Sequence, residues 1–449
     1  MRLSQILLAP APIILRGDAL QDRISRQVSL EIQRMLGKEL GELGVSIFRK
    51  QCAEMKIKPE ELQLKDLLNL SQRMTRVLRP TMGNDAAQKI GKEIQKFKIL
   101  SELEEIKSGS QDPMRDRREL DAYSRLGNIS YTIGDWDDAL DYYNKVKTLG
   151  VKLNDNVKVA EAYRITGHIF KRQSKWEDAL KAFLDGVKAL ENTDNPAGTS
   201  DAYRGMGYVH WRMGDYAQAK SNFEIAMKYA EQSRDKVTIG LVHIEWGLVF
   251  SDLGDLEVAI GHYKESIDIL EQARDYQQLS RAYNNLGDIY LQRNEWDDAI
   301  KYFELCKASA EKMNHLNMIG WSLFNTAEAL SMSGRPDEAI PKCGEALEIL
   351  ERLHDHVGVS AAYRNLGVAY RLKKDWKLAE DNFREAETRL DRINSPFNTA
   401  HLHLEWGIMC AAKGDKKEAK MHLEKAASIF GKLGAKKFRD RAEDELKGL

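Results

Sequence analysis

A small residue returns every 40 positions through most of this chain. Gly127, Gly167, Gly207, Gly247, Gly287, Gly367 and Gly407 share one register, and Ala327 stands at the remaining position. Twelve residues after each comes an alanine, from Ala139 to Ala419 without exception. Four residues before stand Tyr123, Tyr163, Tyr203, His243, Tyr283, Leu323, Tyr363 and His403. Sixteen residues after stand Tyr143, Phe183, Phe223, Tyr263, Phe303, Cys343, Phe383 and Leu423. Four coupled columns over eight units restrict the chain to stacked copies of one supersecondary unit.

Each unit reads as two helices. Tyr283, Leu286, Gly287 and Tyr290 recur at i, i+3, i+4 and i+7, one face of a helix. Glycine inside a helix costs ~1 kcal/mol relative to alanine. Its return at one column therefore implies a close helix–helix approach, and the alanine column on the second helix is the expected partner, small against small. Between the two helices lie Gly134-Asp135, Gly214-Asp215, Gly254-Asp255, Gly334-Arg335 and Gly414-Asp415. Glycine ends a helix well, and aspartate starts the next.

The column order aromatic, Leu-Gly, aromatic, Ala, aromatic resembles the tetratricopeptide-repeat family, in its long, 40-residue form. The resemblance implies an all-α, right-handed superhelical solenoid: eight helix pairs over residues 113–430 and a capping helix over 431–449. It also implies that the first helices line the concave face. Repeat six departs from the pattern. It has Ala327 for glycine, Cys343 for the aromatic, and two prolines. Pro336 suits the first helical position, while Pro341 is expected to bend its helix.

No 40-residue register precedes Pro113. Residues 1–107 read as a small helical bundle of three helices. One spans 27–57, a second starts at Lys58-Pro59-Glu60-Glu61-Leu62, and a third follows a break at Gly83-Asn84-Asp85. Residues 108–112 form the hinge. Residues 1–100 hold 18 Lys+Arg against 11 Asp+Glu, whereas the whole chain carries −1. That basic end suits an acidic partner or a solvated face. Nucleic acid is the disfavoured alternative, because no short turn followed by a basic recognition helix stands out. Residues 3–15 are apolar behind Arg2. They read as a tail that packs on the protein, with a targeting segment as the alternative.

No catalytic constellation is legible. The ten histidines all lie at or after His168, and no pair has the i, i+4 spacing of helical metal ligands. Neither a phosphate-cradling glycine loop nor a nucleophile elbow occurs. Cys52, Cys306, Cys343 and Cys410 are scattered, which argues against a disulfide framework and for a reducing, cytoplasmic setting. No metal, cofactor or membrane span is expected, and the oligomeric state is left open.

What remains is a surface. If first helices line the groove, its residues lie six, three and two before the small column, and one and four or five after it. In repeats two and three these include Arg164, His168, Arg204, Trp211 and Arg212, a basic, aromatic-bearing patch. Farther on come Arg281, Asn284, Asn285, Trp321 and Asn325, then Arg364 and Asn365. Asn285, Asn325 and Asn365 share one column. Such a ladder can pair with the backbone of an extended peptide, or it can link neighbouring repeats. The expected role is a protein-interaction scaffold. Its partner segment would be acidic over repeats two and three and apolar near Leu241, Ile244, Trp321 and Phe324. The alternative is a ligand-gated regulator whose output is the N-terminal bundle.

Overall fold

The computed structural model describes residues 18–108, 114–393 and 395–449. The apolar residues 3–15 and most of the hinge lie outside them. The described residues are helical, with no strand. They form two compact units, the first running to Glu245 and the second beginning at Trp246.

The N-terminal part contains two helical hairpins, the first where the sequence suggested a single helix. Asp18–Glu54 is broken at Gly41, whose φ of 61° and ψ of −148° leave the helical region. A straight helix would hold residues 33 and 49 roughly 24 Å apart. Instead the Arg49 guanidinium donates to Gln33 Oε1 at 3.3 Å, so the chain folds back at Gly41. Leu67–Ser108 breaks at Gly83, where φ is 82°. Gln95 Nε2 then reaches Ser71 Oγ at 2.9 Å. The break at Gly83 was legible; the one at Gly41 was not. The Pro59 segment is a 3-10 turn, Pro59–Glu61, and the next α-helix begins only at Leu67. Val28, Ile32, Phe48, Leu70, Met74 and Ile94 are buried together at the centre of this bundle.

Repeat one pairs Arg115–Ile133 with Trp136–Lys152, and repeat two pairs Asn156–Arg172 with Trp176–Leu190. Repeat three pairs Pro196–Arg212 with Tyr216–Ser233, and repeat four Lys236–Leu253 with Leu256–Ala273. Repeats five and six are Tyr276–Gln292 with Trp296–Lys312 and Leu316–Met332 with Pro336–Arg352. Repeats seven and eight are His356–Leu372 with Trp376–Leu390 and Pro396–Lys413 with Lys416–Lys432. The terminal helix is Lys436–Lys447. Capping carboxylates start many of these helices: Asp135, Asp215, Asp375 and Asp415 each accept from a backbone N–H three residues on. Pro336 takes the first turn of its helix, which runs on through Pro341.

The small column packs against the aromatic column of its own repeat, not against the alanines. A Cβ placed on Gly127 would stand 2.9 Å from the Tyr143 ring. On Gly167 it would stand 2.7 Å from Phe183, and on Gly367 2.4 Å from Phe383. Gly207, Gly247 and Gly287 face Phe223, Tyr263 and Phe303 in the same way, and Gly407 faces Leu423. The reason is size: a ring laid flat across a helix needs that helix to have no side chain beneath it. Repeat six obeys the same rule in reverse, since its extra methyl, Ala327, goes with the smaller Cys343, both fully buried. The alanine column is fully buried as well and keeps the two helix backbones close.

Candidate functional site

The basic patch of repeats two and three is largely neutralised from within. Asp201 accepts Arg164 Nη1 at 2.8 Å and His168 Nε2 at 3.1 Å, and Arg204 Nη2 also reaches it. The other end of Arg204 donates to Glu245 Oε1 at 2.7 Å. The Arg164, His168 and Glu245 links join consecutive first helices of the first unit, while Arg204 and Asp201 share one helix. Burial pushes His168 down to about 4, so the ring is neutral at pH 7. Burial alone would raise the Asp201 carboxyl, yet Arg204, His168 and Arg164 hold it well below its usual range. Arg204 is 9% exposed, so Arg204→Glu would set three carboxylates together in a buried place. It tests stability, not partner contact.

Beside this network the same helices carry an aromatic and basic cluster. Trp211 packs edge-on to Tyr208, with ring centroids 5.1 Å apart. Lys171 sits 4.2 Å above the Tyr208 ring. Arg212 lies 5.6 Å from the Trp211 ring and 5.9 Å from Trp176 of the preceding repeat. Tyr208 and Trp211 are half-buried and Arg212 is exposed. Each cation here rests on an aromatic face, an attraction that holds its long side chain in place.

In the second unit the asparagine column links repeats. Asn285 hydrogen-bonds the Tyr263 hydroxyl of the preceding repeat. Asn325 donates to Asn284 Oδ1 at 2.9 Å, and Asn365 to the Phe324 carbonyl at 3.4 Å. Asn284 also donates to Asp288, and Arg281 to Gln278 at 2.7 Å. Trp321 Nε1 donates to Asp355, the capping residue of the next repeat, at 3.0 Å. Ile244 and Phe324, expected to meet a partner, are buried and serve the core. The apolar half of the expected partner contact therefore loses two of its four residues.

Arg364 faces a cleft of about 720 Å³ in the second unit, lined by first helices of repeats five to eight and by the terminal helix. It donates to His401 Nδ1 at 2.7 Å and to Glu328 at 3.5 Å. Burial, then the Arg364 and Arg441 charges, hold His401 well below its ordinary value. Burial and the neighbouring Glu328 raise Asp288 to about 7. Sequence reasoning missed a further pair. His403 and His422 meet Nδ1 to Nδ1 at 2.8 Å, and Trp406 stacks on both. They stand 19 residues apart on the two helices of repeat eight, so only the helix-pair register could have joined them.

All four cysteines are free and buried. Burial pushes the Cys306 and Cys343 thiols up to about 12. Among the described residues no group of three or more His, Cys, Asp or Glu is placed to hold a metal ion. Among them, too, no helix is long and apolar enough to cross a membrane.

A family model for the tetratricopeptide repeat matches residues 198–272, 238–312 and 319–392. Over those residues the chain carries tetratricopeptide repeats. A search of curated proteins finds no match. Among solved structures the chain is similar to RapI in its apo form, at 13% identity and a TM-score of 0.59. That likeness covers 83% of this chain and 98% of RapI. A second is a signal-transduction ATPase with numerous domains and a tetratricopeptide-repeat sensor, from Pyrococcus horikoshii. There the identity is 12%, the TM-score 0.55, and the cover 92% of this chain and 74% of that one. At such identity the likeness is one of fold. The RapI match covers more of the chain than residues 115–449 make up, so it takes in part of the N-terminal helices as well as the repeats.

Proposed function

We propose that this repeat protein is a protein-interaction scaffold, and that the first-helix face of repeats two and three grips an extended partner segment. The observation that carries this reading is the cluster of Lys171, Tyr208, Trp211 and Arg212. Aromatic anchors with adjacent cations are the side chains that contribute most when a partner covers them. Arg164, His168 and Arg204 hold the platform beneath. The Arg164 and Arg204 charges are balanced by Asp201 and Glu245, so the exposed Arg212 supplies the attraction for an acidic segment and sets its orientation. Cytoplasmic residence, an acidic partner for the basic N-terminal helices and the division of the chain into residues 1–107, 108–112, 113–430 and 431–449 belong to the same reading.

Affinity capture with the wild-type chain and with Trp211→Ala tests it. The variant should keep its helical circular dichroism and lose the captured partner. Identical partner sets would overturn the proposal. A second reading, a regulator whose output is the N-terminal bundle, is favoured by one observation: the likeness to RapI takes in N-terminal helices together with the repeats. It requires partner binding to change hydrogen exchange within residues 67–108; unchanged exchange there leaves the scaffold.

A further inference from the structure

The cleft of the second unit has a chemistry of its own. Its lining follows the repeat register. Leu291, Ser331 and Arg371 stand four residues after the small column in repeats five, six and seven, side by side on successive first helices. The terminal helix adds Lys437, Phe438 and Arg441 as a further wall. A volume of about 720 Å³ is within the usual range of small-molecule sites, roughly 300–1,000 Å³.

Its charges do not cancel. Arg364, Arg371, Arg441 and Lys437 line it against only two carboxylates, Glu328 and Glu405. Glu405 is clasped by Arg371 Nη2 at 3.3 Å and Arg441 Nη2 at 3.0 Å, and Glu328 by Arg364 at 3.5 Å. His401 accepts from Arg364 and adds no charge. Two positive charges are left over.

Two polar atoms in the lining also lack partners. Ser331 is 3% exposed and its hydroxyl makes no hydrogen bond. The buried Nε of Arg371 makes none either, although its Nη2 serves Glu405. Buried polar groups are almost always satisfied, so a pair of unmatched donors at one register position implies acceptor oxygens from outside. Apolar side chains share the lining: Met332 and Leu372 are large hydrophobic side chains left half exposed, and Phe438 joins them from the terminal helix.

We propose that this cleft binds a small amphipathic carboxylate, its head group between Ser331 and Arg371 and its apolar body along Met332, Leu372 and Phe438. This site is separate from the partner surface of the first unit and stands or falls without it. A monoanion leaves one of the two surplus charges to Lys437 at the rim, in solvent. The arrangement disfavours cations outright and offers a neutral head group a hydrogen bond but no charge to pair with the guanidinium.

Calorimetric titration of the full chain with decanoate, decanol and decylammonium, all below their micellar range, tests the proposal. Decanoate should saturate at one per chain. Decanol should bind at least tenfold more weakly, and decylammonium should show no saturable heat. Arg371→Gln should weaken decanoate at least tenfold. Ser331→Ala removes only an unpartnered hydroxyl, so the fold should survive even where the arginine variant does not, and it should weaken decanoate severalfold. Equal binding of the three probes, no saturable decanoate binding, or decanoate affinity untouched by Ser331→Ala in a folded chain would each overturn it.

Discussion

At the scale of single residues, the repeat is an exchange of volume between two positions sixteen apart. Gly367 lies so close to the Phe383 ring that a Cβ would stand 2.4 Å from it. Gly367→Ala should therefore destabilise the chain by about 1–3 kcal/mol, read from urea denaturation. Repeat six supplies the compensating partner, with Ala327 over Cys343. Phe383→Cys should cost less in the Gly367→Ala background than in the wild type, with a coupling of roughly 0.5–3 kcal/mol in a double-mutant cycle. Strict additivity would contradict the contact. The histidine pair gives a second residue-scale expectation. Burial pushes His403 to about 3 and His422 to about 4, from an ordinary value of 6.5. The unfolded chain then takes up protons first, so their contribution is fully present above pH 6.5 and is lost as pH falls toward 4. Burial raises Asp288 to about 7, which slopes the other way, so the comparison has to be with a variant. Replacing both histidines by Phe should flatten the decline of the urea midpoint between pH 6.5 and 5, and an unchanged slope would contradict it.

At the scale of elements, the helix pairs were legible because glycine, alanine and aromatic columns report contacts inside one unit. The partner of the glycine was misread, because small residues suggest small neighbours whereas a flat ring needs an empty site. The fold-back at Gly41 was hidden: apolar spacing continues across it, and only a positive φ marks the turn. The ion pairs between repeats, such as Arg164 with Asp201 and Arg204 with Glu245, were out of reach for a different reason. They join residues 37 and 41 positions apart, and sequence alone does not say which charges are buried together. The N-terminal helices meet repeat one in the same manner. Lys96, buried, donates to Asp138 at 2.8 Å and lies 3.4 Å from Asp135, the cap of the next helix. Burial lowers its affinity for the proton, but Asp138, Glu93 and Asp135 outweigh that and raise it. Lys96→Met should cost about 1–3 kcal/mol, less than a fully buried pair because Asp135 is 40% exposed. It should also speed hydrogen exchange in residues 84–108 and in Trp136–Lys152 together. Exchange that rises in only one of the two segments would show that Lys96 does not join them.

At the scale of the whole molecule, one division of labour runs through the repeats. Second helices supply rings and alanines to the core, and first helices supply the glycines beneath those rings together with buried side chains such as Ile244, Leu286 and Phe324. Most of that was readable from the 40-residue register, but not which columns of the first helix stay outside: Arg204, Ile244 and Phe324, expected in the groove, are buried. Which outward residues are spent on neighbouring repeats was not readable, since Asn325 and Asn365 look alike whether they face a ligand or the preceding repeat. The central claim is that the remaining first-helix face is the partner surface, centred on Tyr208 and Trp211. Hydrogen exchange of the chain with and without its captured partner measures this directly. Added protection is expected in Asn156–Arg172 and Pro196–Arg212, with Trp176–Leu190 and Tyr216–Ser233 unchanged. Protection confined to those second helices would contradict it.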